Sequence, residues 1–496
     1  MEENEKDLQR KNMMQFDATI FSRLVLNDLS SNKNGRAVLK KYKQSEIIDI
    51  IENYTLEKNQ IKLREISRLL FAKSPQYRRL VRHFSDMALF SYVIEPCRNL
   101  EKLNVSKVTK QYEDISELAK VMSLRHEMQK VLRTIFIEDA FFGYVHKDKN
   151  SFYIQKIDPS IVKITHVDDS IYNFSIDMTH FYDDESKLES WGVEVKVKYR
   201  AWKSARDKNP KIDGFVELDA KNTICIKANE EFSHLFPPFA GSFDSIFDID
   251  GFKKLRKDKE ELGNYAIVTQ ELPMRKDSEN NNDFLIDNKY MKFFHNSAVD
   301  SVPDNVGVIT SPMKIEALKF DKDRVDNDGV GKATRDFWEG SGTSNLLFSS
   351  SANSAVGLAS SIKSDEQIVF GVLAQINRWL NRYLKHQFKD LYFHINVLPV
   401  TEYNRKEMFD MYIQAGSYGY PVKSHIGAVA GLEPIVTTNM IYLENEILKL
   451  HEKFIPLMNS HVMSGDMMNA DSKEAGSPKK DDNEIADETV RTRDKA

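Results

Sequence analysis

Asp248 and Asp250, two residues apart, are the nearest this sequence comes to a metal-assisted phosphoryl-transfer site, since paired carboxylates on a loop hold divalent ions in nucleases. At the start of a helix, however, the dipole alone favours aspartate, and that accounts for the pair without a metal. Gly329-Val330-Gly331-Lys332-Ala333 has the look of a phosphate-binding loop. It lacks the upstream glycine, Asp326 standing there, and the hydroxyl after the lysine, so the backbone cradle and the magnesium ligand are both missing. The same acidic stretch fails as a calcium loop because Arg335 sits where the last-ligand glutamate belongs. His126-Glu127 lacks the second histidine of a zinc-protease helix, and Cys97 and Cys225 have no metal-ligand spacing. No catalytic constellation, cofactor site or metal site is expected, and assembly or passage becomes the better class of explanation than an enzyme.

The elements around these residues describe a large, well-structured chain. Its 496 residues, 41% hydrophobic and 29% charged, allow about three domains. A net charge of −5 excludes a uniformly basic, duplex-gripping surface. No run approaches the roughly 18 apolar residues of a membrane helix, and the opening MEENEKDLQRK is too charged for a secretory signal, so a soluble protein made in a cytoplasm is expected. Residues 1 to 110 are net basic, with Arg78, Arg79 and Arg82 clustered. From about Ser460 the chain loses periodic apolar residues and reads as a disordered tail.

Ser45 is expected to cap a short helix, Ser74-Pro75 to open a stronger one, and the periodic residues Leu118 to Ile135 to form a third helical region. From Phe142 the period changes to two. FGYVHKD, SFYIQKID, IVKITHVD, IYNFSIDM and VEVKVKYRAW predict an antiparallel sheet, hence an α+β class. Residues 244 to 265 read as a charged helix with a narrow apolar stripe of Phe252, Leu255 and Leu262, and residues 269 to 320 as a non-helical β region. Residues 321 to 340 read as a second polar helix. The stretch 341 to 362 is small, uncharged and loop-like. Ser364 and Gln367 form a capping box before a long helix to about Phe388. A strand, LYFHINVLPV, then leads to helices, the first with Asn404 and Glu407 as its capping box, and finally to a seam of Met440, Leu443, Ile447, Leu450 and Phe454.

This order of segments, with the phrases SPQYRRLVRHFSDM, GYVHKDKNSFYIQKIDPSIVKI, VPDNVGVITSPMKIEALKF and TEYNRKEMFDMYIQAGSYGYPVKSHIGAVAGLEP, resembles the portal, or head-to-tail connector, proteins of tailed bacteriophages over about residues 10 to 460. The resemblance implies a ring, usually of twelve subunits, at one capsid vertex of the virion, assembled in the host cytoplasm around a channel for double-stranded DNA. It implies partners in the packaging ATPase (the terminase large subunit), the major capsid and scaffold proteins, and a later head-completion or tail adaptor, with no membrane. Carried over, residues 1 to 9 are a flexible N-terminus and 10 to 243 the wing, completed by a strand within 363 to 400. Residues 244 to 266 and 321 to 340 are the stem helices, 267 to 320 the clip, 341 to 362 the tunnel loop, 401 to 460 the crown and 461 to 496 the tail. The channel candidates are Asn345, Leu346, Ser349, Ser350, Asn353, Ser354 and Gly357 in the loop, with Lys332 and Arg335 on the second stem helix. Those two share a helix face, and ion pairs with Asp328, Asp336 or Glu339 are the alternative for them. The tunnel-loop stretch carries no Lys or Arg before Lys363, a departure that suits passage of DNA better than a grip on it. The alternative functions are another virion structural protein, such as a head-tail adaptor, and a metal-dependent DNA-processing enzyme.

Overall fold

The computed structural model describes residues 44–148, 150–231, 234–264, 266–271, 273, 275, 285–301, 306–311, 329–343, 347 and 355–450. It begins with helices α1 (Gln44–Glu52), α2 (Glu57–Lys73) and α3 (Pro75–Ser85). Ser45 lies inside α1 rather than ahead of it. Ser74 and Pro75 open α3 as their chemistry dictates: the Ser74 hydroxyl accepts from the Tyr77 amide at 3.3 Å, and proline fills the first helical position. Strand β1 (Tyr92–Pro96) follows, then α4 (Val105–Met122) and α5 (Leu124–Glu138), which meet at Ser123 with φ 46°.

Strands β2 (Ala140–Lys147), β3 (Phe152–Ile157), β4 (Val162–Asp168), β5 (Ile171–Asp177), β6 (Phe215–Glu217) and β7 (Thr223–Lys227) form two three-stranded antiparallel sheets, ordered β3-β2-β7 and β4-β5-β6. Four of the five segments expected as strands are strands. The fifth, VEVKVKYRAW, is instead the start of helix α6 (Val193–Lys208). Its alternating valines fit either period, but the residues α6 buries are Val195, Tyr199 and Trp202, spaced four and three apart, while Val193 and Val197 are exposed. The aromatic residues of the helical phase decide the element, because they bring the larger apolar area against the second core.

Helix α7 (Phe243–Asn264) precedes β8 (Ala266–Glu271), α8 (Asn288–Ser301), β9 (Val306–Ser311) and α9 (Gly329–Gly340). The expectation that 269 to 320 is non-helical fails at α8. Strands β8 and β9 pair parallel, Ala266 opposite Val306, and two parallel neighbours need a crossover connection, within which α8 lies. Residues 321 to 328 lie outside the described residues, so the second polar helix is described only from Gly329.

Helix α10 (Ala355–Gln387) has 33 residues, about 50 Å. It starts nine residues before Ser364, which is an interior residue and not a cap. Ala355, Val356, Leu358, Ala359 and Ile362 in the sequence are helix formers or apolar enough to extend it backwards over the last eight residues, 355 to 362, of the stretch expected as a loop. Strand β10 (Phe393–Val397) pairs antiparallel with β1, Tyr92 opposite Val397. The C-terminal helices are α11 (Arg405–Ser417), α12 (Lys423–Ala430) and α13 (Pro434–Tyr442). Asn404 precedes α11 but makes no side-chain cap bond. Its side chain accepts from the Thr401 amide at 2.8 Å and donates to the Pro399 carbonyl at 2.9 Å, while Glu407 pairs with Lys363 at 3.4 Å.

The main core joins α1 to α3, α5, the first turns of α7, α9 and α10, with Tyr77, Phe84, Phe136, Phe243, Phe337 and Trp379 almost fully enclosed. A second core lies between α6 and the two three-stranded sheets, and a third, of Val93, Leu398, Val400, Ala428 and Val429, lies between the β1-β10 pair and α12. The chain divides at Thr437 into two units. In the second, the expected seam is interrupted by a π-helical turn at Leu443–Ile447, and Met440 and Ile447 are exposed. A wider turn shifts the helical phase, so the 3-4-3-4 spacing no longer lines up on one face. Phe454 lies outside the described residues. Among the described residues no single helix is long and apolar enough to cross a membrane.

Candidate functional site

The two helices that flank the insertion are held together near the main core. Phe243, Ile246 and Ile249 of α7 and Ala333, Phe337 and Trp338 of α9 are buried. Gly329 lets the start of α9 approach α7: a Cβ there would lie 3.1 Å from the Phe252 ring. The other faces are polar, with Lys253 3.8 Å from Asp250, and with Lys332, Arg335, Asp336 and Glu339 exposed on α9. The insertion between them exposes Tyr290, Phe293, Phe294 and Val299 on α8. Tyr290, Phe293 and Phe294 fall on one side of this 14-residue helix and make an unpartnered apolar face, with Val299 exposed on the opposite side.

After α9 the chain turns at Gly342, whose φ of 76° suits glycine, and the Ser341 hydroxyl bonds the Trp338 carbonyl at 2.8 Å and the Thr343 hydroxyl at 2.7 Å. Helix α10 follows, fixed by polar side chains that are buried (Gln375) or half-buried (Asn377, Asn381). Gln375 donates to the Lys227 carbonyl at 2.8 Å and accepts from the Lys227 amide at 3.2 Å, completing the free edge of β7. Asn377 does the same for Val397 (3.0 and 2.7 Å) and Asn381 for Ile395 (3.2 and 3.1 Å), completing the edge of β10. The Trp379 indole donates to the Thr223 carbonyl at 2.9 Å. A helix cannot supply a strand's backbone ladder, but three side-chain amides each offer the same donor and acceptor pair. Upstream, Asp365 meets His83 at 2.9 Å with both side chains buried, and Glu366 accepts from the Thr401 hydroxyl. Residues 357 to 364 are half-buried or exposed, with Lys363 paired to Glu407 at the surface, and the buried polar anchors begin at Asp365.

Two buried charge clusters brace the body below. Glu138 accepts from Arg68 at 2.9 and 3.2 Å and from Lys156 at 2.6 Å; burial raises its pKa, but the two cations outweigh burial and hold it below the ordinary carboxylate value. Asp139, fully buried at φ 74°, accepts from Asn229 and from the Phe236 amide and lies 3.7 Å from Lys227. These clusters tie α2, α5, β3 and β7 together.

The structure brings Lys332 and Arg335 to one exposed face of α9, as expected, and makes Gly329-Val330-Gly331 the first turn of that helix, with no phosphate-binding loop. Gly357, expected in the loop, is helical, because α10 begins at Ala355. Asn345, Leu346, Ser349, Ser350, Asn353 and Ser354 lie outside the described residues. Asp248 and Asp250 sit within α7, two residues and therefore about 200° apart around the helix. No group of three or more His, Cys, Asp or Glu able to hold a metal occurs among the described residues. The anchoring amides of α10 were not singled out from sequence. Their signal was available, as Gln375, Asn377 and Asn381 interrupt an otherwise apolar helical stripe.

No protein-family model and no curated protein matches this chain. Among solved structures it is similar to a chain in the virion of a native gene transfer agent particle, with a TM-score of 0.41, 11% identity, and 76% of this chain and 94% of that chain covered. It is similar also to a chain in the neck of an empty gene transfer agent particle, with a TM-score of 0.39, 12% identity, and 75% and 93% covered. Likeness at these scores defines neither the fold nor the function of this chain.

Proposed function

We propose that the chain is a structural component of a phage-like virion. More particularly, we propose that it is the portal of that virion: a ring, twelvefold by family resemblance alone, at one capsid vertex, through which double-stranded DNA is packaged and later ejected. The observation that carries the reading is the excursion from α7 through the β8-α8-β9 insertion to α9, followed by the long anchored helix α10. Helices buried along one face and polar along the other suit a stem between neighbouring copies and a lumen. The apolar face of α8 suits a region covered on assembly, where the packaging ATPase and then an adaptor would dock. Lys332 and Arg335, exposed on α9, become in a ring repeated circles of positive charge that centre a polyanion without a dense grip on it. Translocation energy comes from a separate motor, and the chain itself is not an enzyme.

Imaging the purified full-length chain by negative stain tests this reading. Rings with a central hole are expected; particles that remain monomeric or dimeric at micromolar concentration refute it. Incubation with linear duplex and magnesium is expected to leave the DNA intact. Cleavage that disappears on Asp248→Ala plus Asp250→Ala would return the enzyme reading.

A further inference from the structure

One carboxylate is shared by two histidines where α12 docks on the β1-β10 pair. Glu95 on β1 lies opposite His394 on β10 in the strand register, and its Oε2 is 3.0 Å from the His394 Nε2. Its Oε1 is 3.0 Å from the Nε2 of His425, which α12 contributes. Three elements thus meet on one side chain, with 27% of Glu95, 33% of His394 and 21% of His425 exposed. Asn396 on β10 places its amide nitrogen 3.4 Å from both carboxylate oxygens. From α11 comes Tyr412, whose ring lies 5.1 Å from that of His425 and whose phenol is held above its ordinary value by burial and then by the charge of Glu95. Among the described residues no other charged side chain pairs with these three.

Hydrogen-bond chemistry fixes where a proton can add. An ionised carboxylate only accepts, so both Nε2 atoms carry hydrogen. The Nδ1 of His425 is buried and has no partner, so a second proton on that ring would be an enclosed, unpaired N–H, which disfavours the cation. His394 is the more exposed of the two and has no such orphan. The proton therefore goes to His394. The helices held by this cluster have little else to dock them: α12 buries only Ala428 and Val429, within the small third core, and α11 buries no residue. A small core allows α11 and α12 to open locally, so one polar tie is a large share of what keeps them in place.

We propose that Glu95, His394 and His425 form a proton-operated latch, in which protonation of His394 tightens the docking of α11 and α12 on the β1-β10 pair and its loss loosens it. With His394 neutral, a neutral donor meets an anion; with His394 protonated, the same bond is also an ion pair. The added strength is present in full below the ordinary histidine value of about 6.5 and is lost as the pH rises beyond it. The latch lies within one chain, and its failure leaves the ring reading standing.

Hydrogen–deuterium exchange of the full-length chain at about pH 5.5 and about pH 8, corrected for intrinsic exchange rates and made on samples of one assembly state, tests it. Protection of the α12 amides is expected to be about threefold or more higher at the lower pH, while that of α6 stays within about twofold. Glu95→Gln, which keeps the size of the side chain and removes its charge, should bring the α12 ratio below about twofold. His394→Gln, which keeps a donor toward Glu95 but takes up no proton, should do the same while leaving α12 protected at the higher pH as in the parent chain. If Glu95→Gln undocks α12 altogether, His394→Gln alone decides. Equal α12 protection at both pH values in the parent chain, a change shared by α6, or a pH ratio that His394→Gln leaves unaltered would overturn the proposal.

Discussion

Replacing Asn381 by leucine keeps the approximate size of the side chain and removes both of its hydrogen bonds to Ile395. Ile395 is fully buried, so its amide and carbonyl are left without water as well as without partner. An unpaired buried polar group costs about 1–3 kcal/mol, and partial relaxation and the added apolar surface offset some of that, which leaves an expected loss of about 2–4 kcal/mol. Gln375→Leu should cost a similar amount through Lys227, which is 1% exposed. The two side chains serve different sheets and lie six residues, about 9 Å, apart along the helix, so their effects should nearly add. The pair would then remove much of the roughly 5–15 kcal/mol that stabilises a typical domain. Urea unfolding followed by circular dichroism, on variants shown to have the parent assembly state, reads this directly. Ala374→Gln, exposed on the same helix, serves as the control and should stay within about 0.5 kcal/mol. If Asn381→Leu also stayed within that range, α10 would not be closing the sheet edges, and the account of how it is anchored would be wrong.

Glu138→Gln should lower stability at neutral pH by about 2–3 kcal/mol, less than a fully enclosed pair would lose, because Arg68 and Lys156 keep 42% and 30% of their side-chain surface in water. Because the folded-state pKa of Glu138 lies below its unfolded value, the contribution is present in full above about pH 4.5 and is lost as pH falls through the folded value; the variant should show a flatter acid limb in equilibrium unfolding. Gly143→Ala should destabilise by about 1–3 kcal/mol or more, as a Cβ there would lie 2.6 Å from Ile154 and Phe141 and 2.7 Å from Ile224; a neutral result in thermal unfolding would mean that the β2-β3 surface packs less tightly than described. Deleting residues 349 to 354 should leave rings visible by negative stain while assembled heads fail to retain DNA, and normal retention would remove the channel role of the 341 to 362 stretch.

Where periodicity and side-chain volume agreed, the sequence was readable. Ser74-Pro75 and the Tyr77, Leu80, Val81, Phe84 stripe defined α3, and FGYVHKD and SFYIQKID defined a strand pair. Where two periods coexist, as in VEVKVKYRAW, alternation misled, because burial of Tyr199 and Trp202 depends on a second core that no local window contains. The β1-β10 pair joins residues about 300 positions apart: LYFHINVLPV reads as a strand and is one, but its partner β1, five residues ending at Pro96, shows no local pattern, and the pairing is fixed only by the shared core. The stretch 341 to 362 showed a different failure. Within it, residues 355 to 362 were read as loop but are helical, because alanine is the best helix former and the segment continues directly into a strongly apolar helix, so propagation from α10 costs less than stopping; of the rest, 344 to 346 and 348 to 354 lie outside the described residues. That Lys332 and Arg335 share a helix face was legible because a spacing of three fixes it whatever the helix packs against; that this face lines a channel belongs to the proposed function.

The extension of α10 changes how a constriction would work. A loop of 22 residues would be free to follow DNA along its whole length, whereas the helix claims the stretch from Ala355 and leaves at most the residues between Thr343 and Ala355 to do so. Downstream of Asp365 the helix is fixed to two sheet edges; upstream of it, the residues to 357 are half-buried or exposed. A rigid helix transmits force applied near its start to the points where it is buried and bonded, and those points are the β7 and β10 edges of the body. In a ring this places the mechanical load of a moving polymer on these side-chain amide bonds, with no need for charge on the loop, which has none before Lys363. The same substitutions that measure the anchors, Gln375→Leu and Asn381→Leu, should therefore also impair DNA retention when each is tested singly in rings that still form. Retention unaffected in both would place the load elsewhere than on α10.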